Sequence, residues 1–96
     1  MGKKVLEYTM FIFELEDGTF LALNEDAEKE SEMYMSVVDA SSASQFSKSA
    51  RAVVLSDMSR LGHGYLYMHD ERLMKRVVRE HECKVTSVNS KLVRAQ

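Results

Sequence analysis

The spacing of apolar positions changes several times along the chain, and each change marks an element. Tyr8 to Leu15 is aromatic and β-branched in character, Asp17-Gly18 is a two-residue type I′ turn signal, and Thr19 to Asn24 returns. With that turn, Leu15 faces Phe20, Phe13 faces Ala22 and Ile12 faces Leu23. One face of the hairpin then carries Phe11, Phe13, Leu15 and Phe20, and the other Met10, Ile12, Leu21 and Leu23. Both faces are apolar, whereas a half-buried strand would alternate with polar residues. The second face is therefore covered, joined to another copy, or open as a binding face.

Residues 25–32 have no apolar periodicity and hold five acids and one lysine, which reads as a solvated acidic loop or an interaction loop. Met33 to Val38 predicts a third strand, and the small polar run Asp39 to Ser44 a connector. Ser47 has the character of an N-cap; Ala50, Val53, Val54, Asp57/Met58 and Leu61 recur at helical spacing, and Gly62 sits where a helix-ending glycine belongs. That gives a first helix over 47–61. Tyr65 to Met68 reads as a short strand. Asp70 as N-cap, followed by Leu73, Met74, Val77, Val78 and His81, predicts a second helix over 70–81, with Arg72, Lys75, Arg76 and Arg79 on its polar side. A last strand, Cys83 to Val88, precedes a basic tail. The expected fold is a single α+β domain of 96 residues in the order β-β-β-α-β-α-β: a small, mostly antiparallel sheet with two helices packed on one face, frayed over 1–7 and 89–96.

Composition narrows the class without naming a function. Apolar residues make up 45% and charged residues 29% of the chain, near globular averages, which excludes collagen-like, disordered and membrane-embedded classes. One cysteine cannot form an internal disulfide, which suits a reducing compartment. Glu7 and Glu14 interrupt any secretory signal, Leu6 stands where a myristoylation motif needs Ser or Thr, and no apolar run is long enough to span a bilayer. A cytoplasmic protein is expected. Proline is absent, and the seven methionines suit either a loosely specified core or an adaptable contact surface.

Charge is more informative. Residues 1–47 hold three cations against ten anions, net −7; residues 48–96 hold ten cations against five anions, net +5. Such a split implies two faces with different partners, or charges that complement one another across the fold or between subunits.

The stretch Phe11 to Leu21, followed by Asp39 to Phe46 and a helix opening at Ser47, resembles small bacteriophage-type accessory proteins, in which a hairpin, a strand, an Ala-x-x-Phe turn (Ala43 to Phe46 here) and a helix follow one another. The resemblance covers residues 8–61 and implies no catalytic residue. It implies a small protein that binds and modulates host machinery in a host cytoplasm.

Candidate chemistry is sparse. His63, His69, His81 and Cys83 fall within 21 residues, but their spacing fits no standard zinc motif, so no metal or other cofactor is expected. No Gly-x-Ser-x-Gly elbow or phosphate loop occurs, and the expectation is a protein that is not an enzyme. Two binding readings remain. A protein-binding surface would join Met10, Ile12, Leu21 and Leu23 to Glu25, Asp26, Glu28, Glu30 and Glu32, an apolar patch rimmed by acids that suits a partner with a basic surface, such as a host nucleic-acid-handling protein. A homodimer through the hairpin face or a free sheet edge fits the same pattern. The alternative is nucleic acid: Arg72, Lys75, Arg76 and Arg79 at helical spacing, extended by Lys84, lie beside Tyr65 and Tyr67.

Overall fold

The structure is a computed structural model that describes residues 5–88. It is an α+β fold with five strands, β1 (Val5–Leu15), β2 (Phe20–Leu23), β3 (Tyr34–Val37), β4 (Tyr65–Met68) and β5 (Leu73–Val88), and one α-helix, α1 (Lys48–Leu61). Short 3₁₀ turns occupy Glu30–Glu32 and Ala40–Ser42. The sheet is antiparallel in the order β3-β2-β1-β5-β4. Residues 5–7, expected to fray, belong to β1; residues 89–96, also expected to fray, lie outside the described residues.

The expected second helix is absent among the described residues. Residues 73–81 are the first half of β5, and the expected strand Cys83 to Val88 is its second half. The physical reason is a β-bulge. Glu14 of β1 pairs with Arg79 but the next residue, Leu15, pairs with Val77, so Val78 is an extra residue in β5. The extra residue turns a period-two pattern into the Val77-Val78 doublet that reads locally as helical spacing. Asp70 does not cap a helix; it lies in the turn between β4 and β5, where its carboxylate accepts the Ser36 backbone N–H at 3.3 Å.

The first hairpin also differs from its expected register. Gly18 N–H donates to Leu15 C=O at 2.9 Å and Leu15 N–H to Thr19 C=O at 2.8 Å, which makes a three-residue loop with Gly18 at φ 86°, a conformation that glycine adopts without strain. Asp17 Oδ1 accepts both the Thr19 backbone N–H and its hydroxyl, favouring this turn over the two-residue form. Phe20 consequently faces Glu14, not Leu15. A slip of one residue exchanges faces: Leu21 joins Phe13 and Leu15 in the core, and Phe20 moves to the side of Met10 and Ile12.

Beyond Glu14 the strands β1 and β2 part, and the chain fills the gap with its own connector. Phe46 exchanges two backbone hydrogen bonds with Phe11, each 2.8 Å; Ser44 N–H donates to Leu21 C=O, and Ser44 Oγ accepts Leu23 N–H. The Phe46 ring enters the core edge-on to Phe13, with centroids 5.4 Å apart. Ser47 then caps α1, its hydroxyl accepting Ala50 N–H. The helix spans the predicted range, but only Val54 is fully buried, with Ala50, Leu55 and Met58 packed around it; Val53 and Leu61, expected inside, are exposed. Leu66 and Met68 of β4 and Tyr34 of β3 complete the core.

The sheet curls until its two outer strands meet: His69 N–H, just after β4, donates to Tyr34 C=O at 2.8 Å. Lys75 fastens this closure. The residue is buried (4% exposed), and its ammonium reaches Asp17 in the β1–β2 turn at 2.7 Å, Glu71 in the β4–β5 turn at 2.6 Å and Ser36 of β3 at 3.2 Å. Burial alone would pull the lysine down, but hydrogen bonds and charge from Asp17 and Glu71 outweigh it and hold the group above its ordinary value. Asp17 is in turn lowered to about 2, first by its hydrogen bond to Lys75 and then by Thr19. Glu71 is lowered by hydrogen bonds to Lys75 and Ser36.

Two carboxylates with depressed folded values stabilise the fold above their ordinary range of about pH 4, and this contribution is lost as the pH falls toward 2. Lys75→Met should cost about 2 kcal/mol, less than the roughly 3–5 kcal/mol of a fully buried pair because both carboxylates keep water. Urea melts between pH 5 and pH 2 should also show a shallower acid loss in this variant than in wild type.

Candidate functional site

The feature that stands out from the core is an arm. β4 pairs with β5 only over residues 73–76, and the neighbours of β1 on its other edge end at the Phe11–Phe46 bridge. The ladder continues nonetheless to Val5↔Val88, so residues 5–10 and 83–88 form a two-stranded ribbon. The described chain is accordingly elongated, 52 × 27 × 24 Å.

The two faces of the arm differ. On the helix side, Arg51 of α1 stacks over the Phe11 ring at 5.0 Å and makes a two-point ion pair with Glu80, while Lys84 donates to the Thr9 hydroxyl at 3.1 Å. On the outer face, three cross-strand pairs follow in register: Tyr8 opposite Val85, Met10 opposite Cys83, and Ile12 opposite His81. Tyr8 is 44% exposed and the other five are part-exposed; α1 lies on the opposite side of the sheet. Glu14 forms a polar root for this face, with His81 Nε2 at 2.9 Å and Arg79 Nη1 at 3.7 Å. Val78, pushed out by the bulge, adds exposed apolar surface beside it.

This geometry divides the residues expected to form one protein-binding surface. Met10 and Ile12 lie together on the outer face. Leu21 is fully buried in the core, which corrects its placement on a surface, and Leu23, opposite Tyr34, lies on the helix side and is partly exposed. Glu25, Asp26, Glu28 and Glu30 are exposed in the loop after β2, and Glu32 is half-buried. The loop is ordered by its own bonds: Asn24 donates to Glu32 C=O and accepts Asp26 N–H, and Glu32, lowered chiefly by the Glu28 N–H it accepts, ties the loop across. Its Glu30 stands 3.8 Å from Arg60. His81, Cys83 and Val85, by contrast, complete the apolar face and were not expected there; their alternation with Glu80, Glu82 and Lys84 was the available signal.

The basic stripe is also divided. Lys75 is buried in the closing cluster, which removes it from any contact surface, and Arg72 sits in the β4–β5 turn. Arg76 remains exposed opposite Tyr65, on the face that also holds Tyr67 and Met74; Arg79 is engaged with Glu14, and Lys84 lies on the helix side of the arm. His63 and His69 lie in two separate turns, and among the described residues no three His, Cys, Asp or Glu side chains are grouped to hold a metal.

A cleft of about 110 Å³ opens between α1 and the acidic loop, lined by Glu30, Tyr34, Asp57 and Arg60. Its polar groups are mutually satisfied: the Tyr34 hydroxyl donates to Asp57 Oδ2 at 2.6 Å, and Arg60 donates to Asp57 Oδ1 at 2.7 Å. Burial, followed by the bond to Asp57, pushes the tyrosine above its ordinary value, which disfavours the phenolate further. The trio binds α1 to β3 and leaves neither a free base nor an activated hydroxyl. No protein-family model, curated protein or solved structure matches the chain.

Tyr34→Phe should cost about 1 kcal/mol at pH 7 by removing the bond to Asp57. A tyrosine raised on folding stabilises fully below about pH 10 and loses that contribution at higher pH. Urea midpoints at pH 8 and pH 10.5 should therefore fall less between the two values in the variant than in wild type.

Proposed function

We propose that this protein is a non-enzymatic binding module whose partner is another protein, engaged on the outer face of the β1–β5 arm. The observation that carries the reading is the row Tyr8, Met10, Ile12, Cys83 and Val85, apolar and part-exposed on an arm that extends from the core. An aromatic, three flexible or branched apolar side chains and a small thiol give an adaptable patch, and the Glu14–Arg79–His81 cluster at its root supplies polar groups to orient a partner. The acidic loop lies elsewhere and would steer a basic partner without forming the contact itself. Inhibition or redirection of a host nucleic-acid-handling protein, the narrower activity suggested by the acid-rimmed patch together with the bacteriophage-type resemblance, belongs to this reading.

A second reading is favoured by one observation: Tyr65, Tyr67 and Arg76 share a face of the β4–β5 hairpin, where stacking and a cation could meet single-stranded nucleic acid.

Met10→Glu combined with Ile12→Glu should abolish capture of the protein that wild type retains from a lysate of its source cell, with far-ultraviolet circular dichroism unchanged. Replacing Glu25, Asp26, Glu28, Glu30 and Glu32 by their amides should slow association and flatten its salt dependence while leaving capture in place. Equal capture by the arm variant and wild type would overturn the reading. Fluorescence anisotropy with labelled single-stranded DNA and RNA decides the second reading; it fails if no binding appears at low salt or if Arg76→Ala and Tyr65→Ala leave binding unchanged.

A further inference from the structure

We infer that two copies of this chain pair edge to edge along β5, about a two-fold axis at Cys83. The inference goes beyond the partner-binding reading and rests on backbone pairing and charge, not on the apolar face.

The edge is open. Val77 N–H donates to Gly64 C=O, and from Val78 onward β5 has no strand on the side away from β1 among the described residues. The direction of its backbone groups follows from Phe11, whose N–H and C=O are both spent on Phe46, on the side away from β5. In an antiparallel ladder hydrogen-bonded and non-hydrogen-bonded pairs alternate. Met10–Cys83 and Ile12–His81 are therefore the bonded pairs, and the backbone groups of Glu80, Glu82 and Lys84 point to the open edge.

Symmetry then limits the registers. A two-fold axis perpendicular to the sheet keeps each face on its own side, so residues of like parity oppose one another and the axis must pass midway between one residue and its own copy. Centred on His81, Glu80 would face Glu82 of the second copy; centred on Glu82 or on Lys84, that residue would face itself. Centred on Cys83, no like charges oppose, Glu82 faces Lys84 of the second copy twice over, and His81 faces Val85. The ionic groups are available for this pairing. Glu82 has no ion-pair partner among the described residues, Glu80 is already neutralised by Arg51, and Lys84 spends one of its three donors on Thr9. The pairing also converts a two-stranded ribbon, marginal in water, into a four-stranded sheet, and a closed two-fold contact does not propagate into a filament.

Sedimentation equilibrium of the full chain under reducing conditions should show a dimer. Glu82→Lys and Lys84→Glu should each weaken it by about tenfold or more, because each replaces two attractive pairs by two repulsive ones. The double exchange E82K/K84E restores opposite charges and should return the affinity to near wild type. Cys83 serves as a reporter: at a non-hydrogen-bonded central position the two Cα atoms lie about 4.5 Å apart, within disulfide range. Diamide, which accepts the two electrons and two protons that the thiols release, should link wild type and the double exchange rapidly and either single variant slowly. A chain that stays monomeric at all concentrations, or a dimer indifferent to both reversals, overturns the inference.

Discussion

The ladder between β1 and β5 is the constraint from which the rest of the molecule follows. It joins residues at the two ends of the described chain, and one extra residue in it, Val78, fixes which side chains face the core on each side of the bulge. Before the bulge, Val77 and Lys75 point inward; after it, Glu80 and Lys84 take that side and His81, Cys83 and Val85 turn outward. A bulge also strengthens local twist. The same irregularity that re-aims the side chains thus lies where the curled sheet gives way to the two-stranded arm.

Closure of the curled part is polar, not apolar. Lys75 sits at a position where a strand would ordinarily supply a hydrophobe, opposite the fully buried Leu66, and draws together the β1–β2 turn, the β4–β5 turn and β3. This arrangement resolves much of the charge split between the halves of the sequence: Lys75 meets Asp17, Arg79 meets Glu14 and Arg60 meets Glu30, each pair uniting a cation of the second half with an acid of the first. Charges separated along the chain are complementary across the fold.

Local signals were readable where local physics decides. The Ser47 cap, the helix over 48–61, the strand at Tyr65–Met68 and the third strand all follow from caps, turns and short-range spacing. Two features could not be read in that way. Asp17-Gly18 was compatible with two loop lengths, and the hydrogen bonds from Thr19 to Asp17 favour the longer one, moving Leu21 into the core. The 73–81 segment owes its extended form to pairing with β4 over residues 73–76 and, from Val77 onward, with β1, more than sixty residues away, and its bulge imitates helical spacing. For the candidate site, the hairpin pattern points to Met10 and Ile12, but the helical spacing of 73–81 hides the partners that complete their face and groups Lys75 with basic residues whose surface it does not share.

The Phe46 bridge has a consequence for the order in which the chain can assemble. β1 is a long apolar strand made before its partners, since one of its edges receives Phe46 only after some thirty further residues, and the other waits for residues 77–88. Contacts so distant in sequence carry a large loop-closure cost and form slowly. Until they form, β1 is the segment most exposed to pairing with other nascent chains. Glu7, Glu14 and Glu16, spaced along and just beyond this strand, have the character of gatekeepers that hold it in solution until its intended partners arrive.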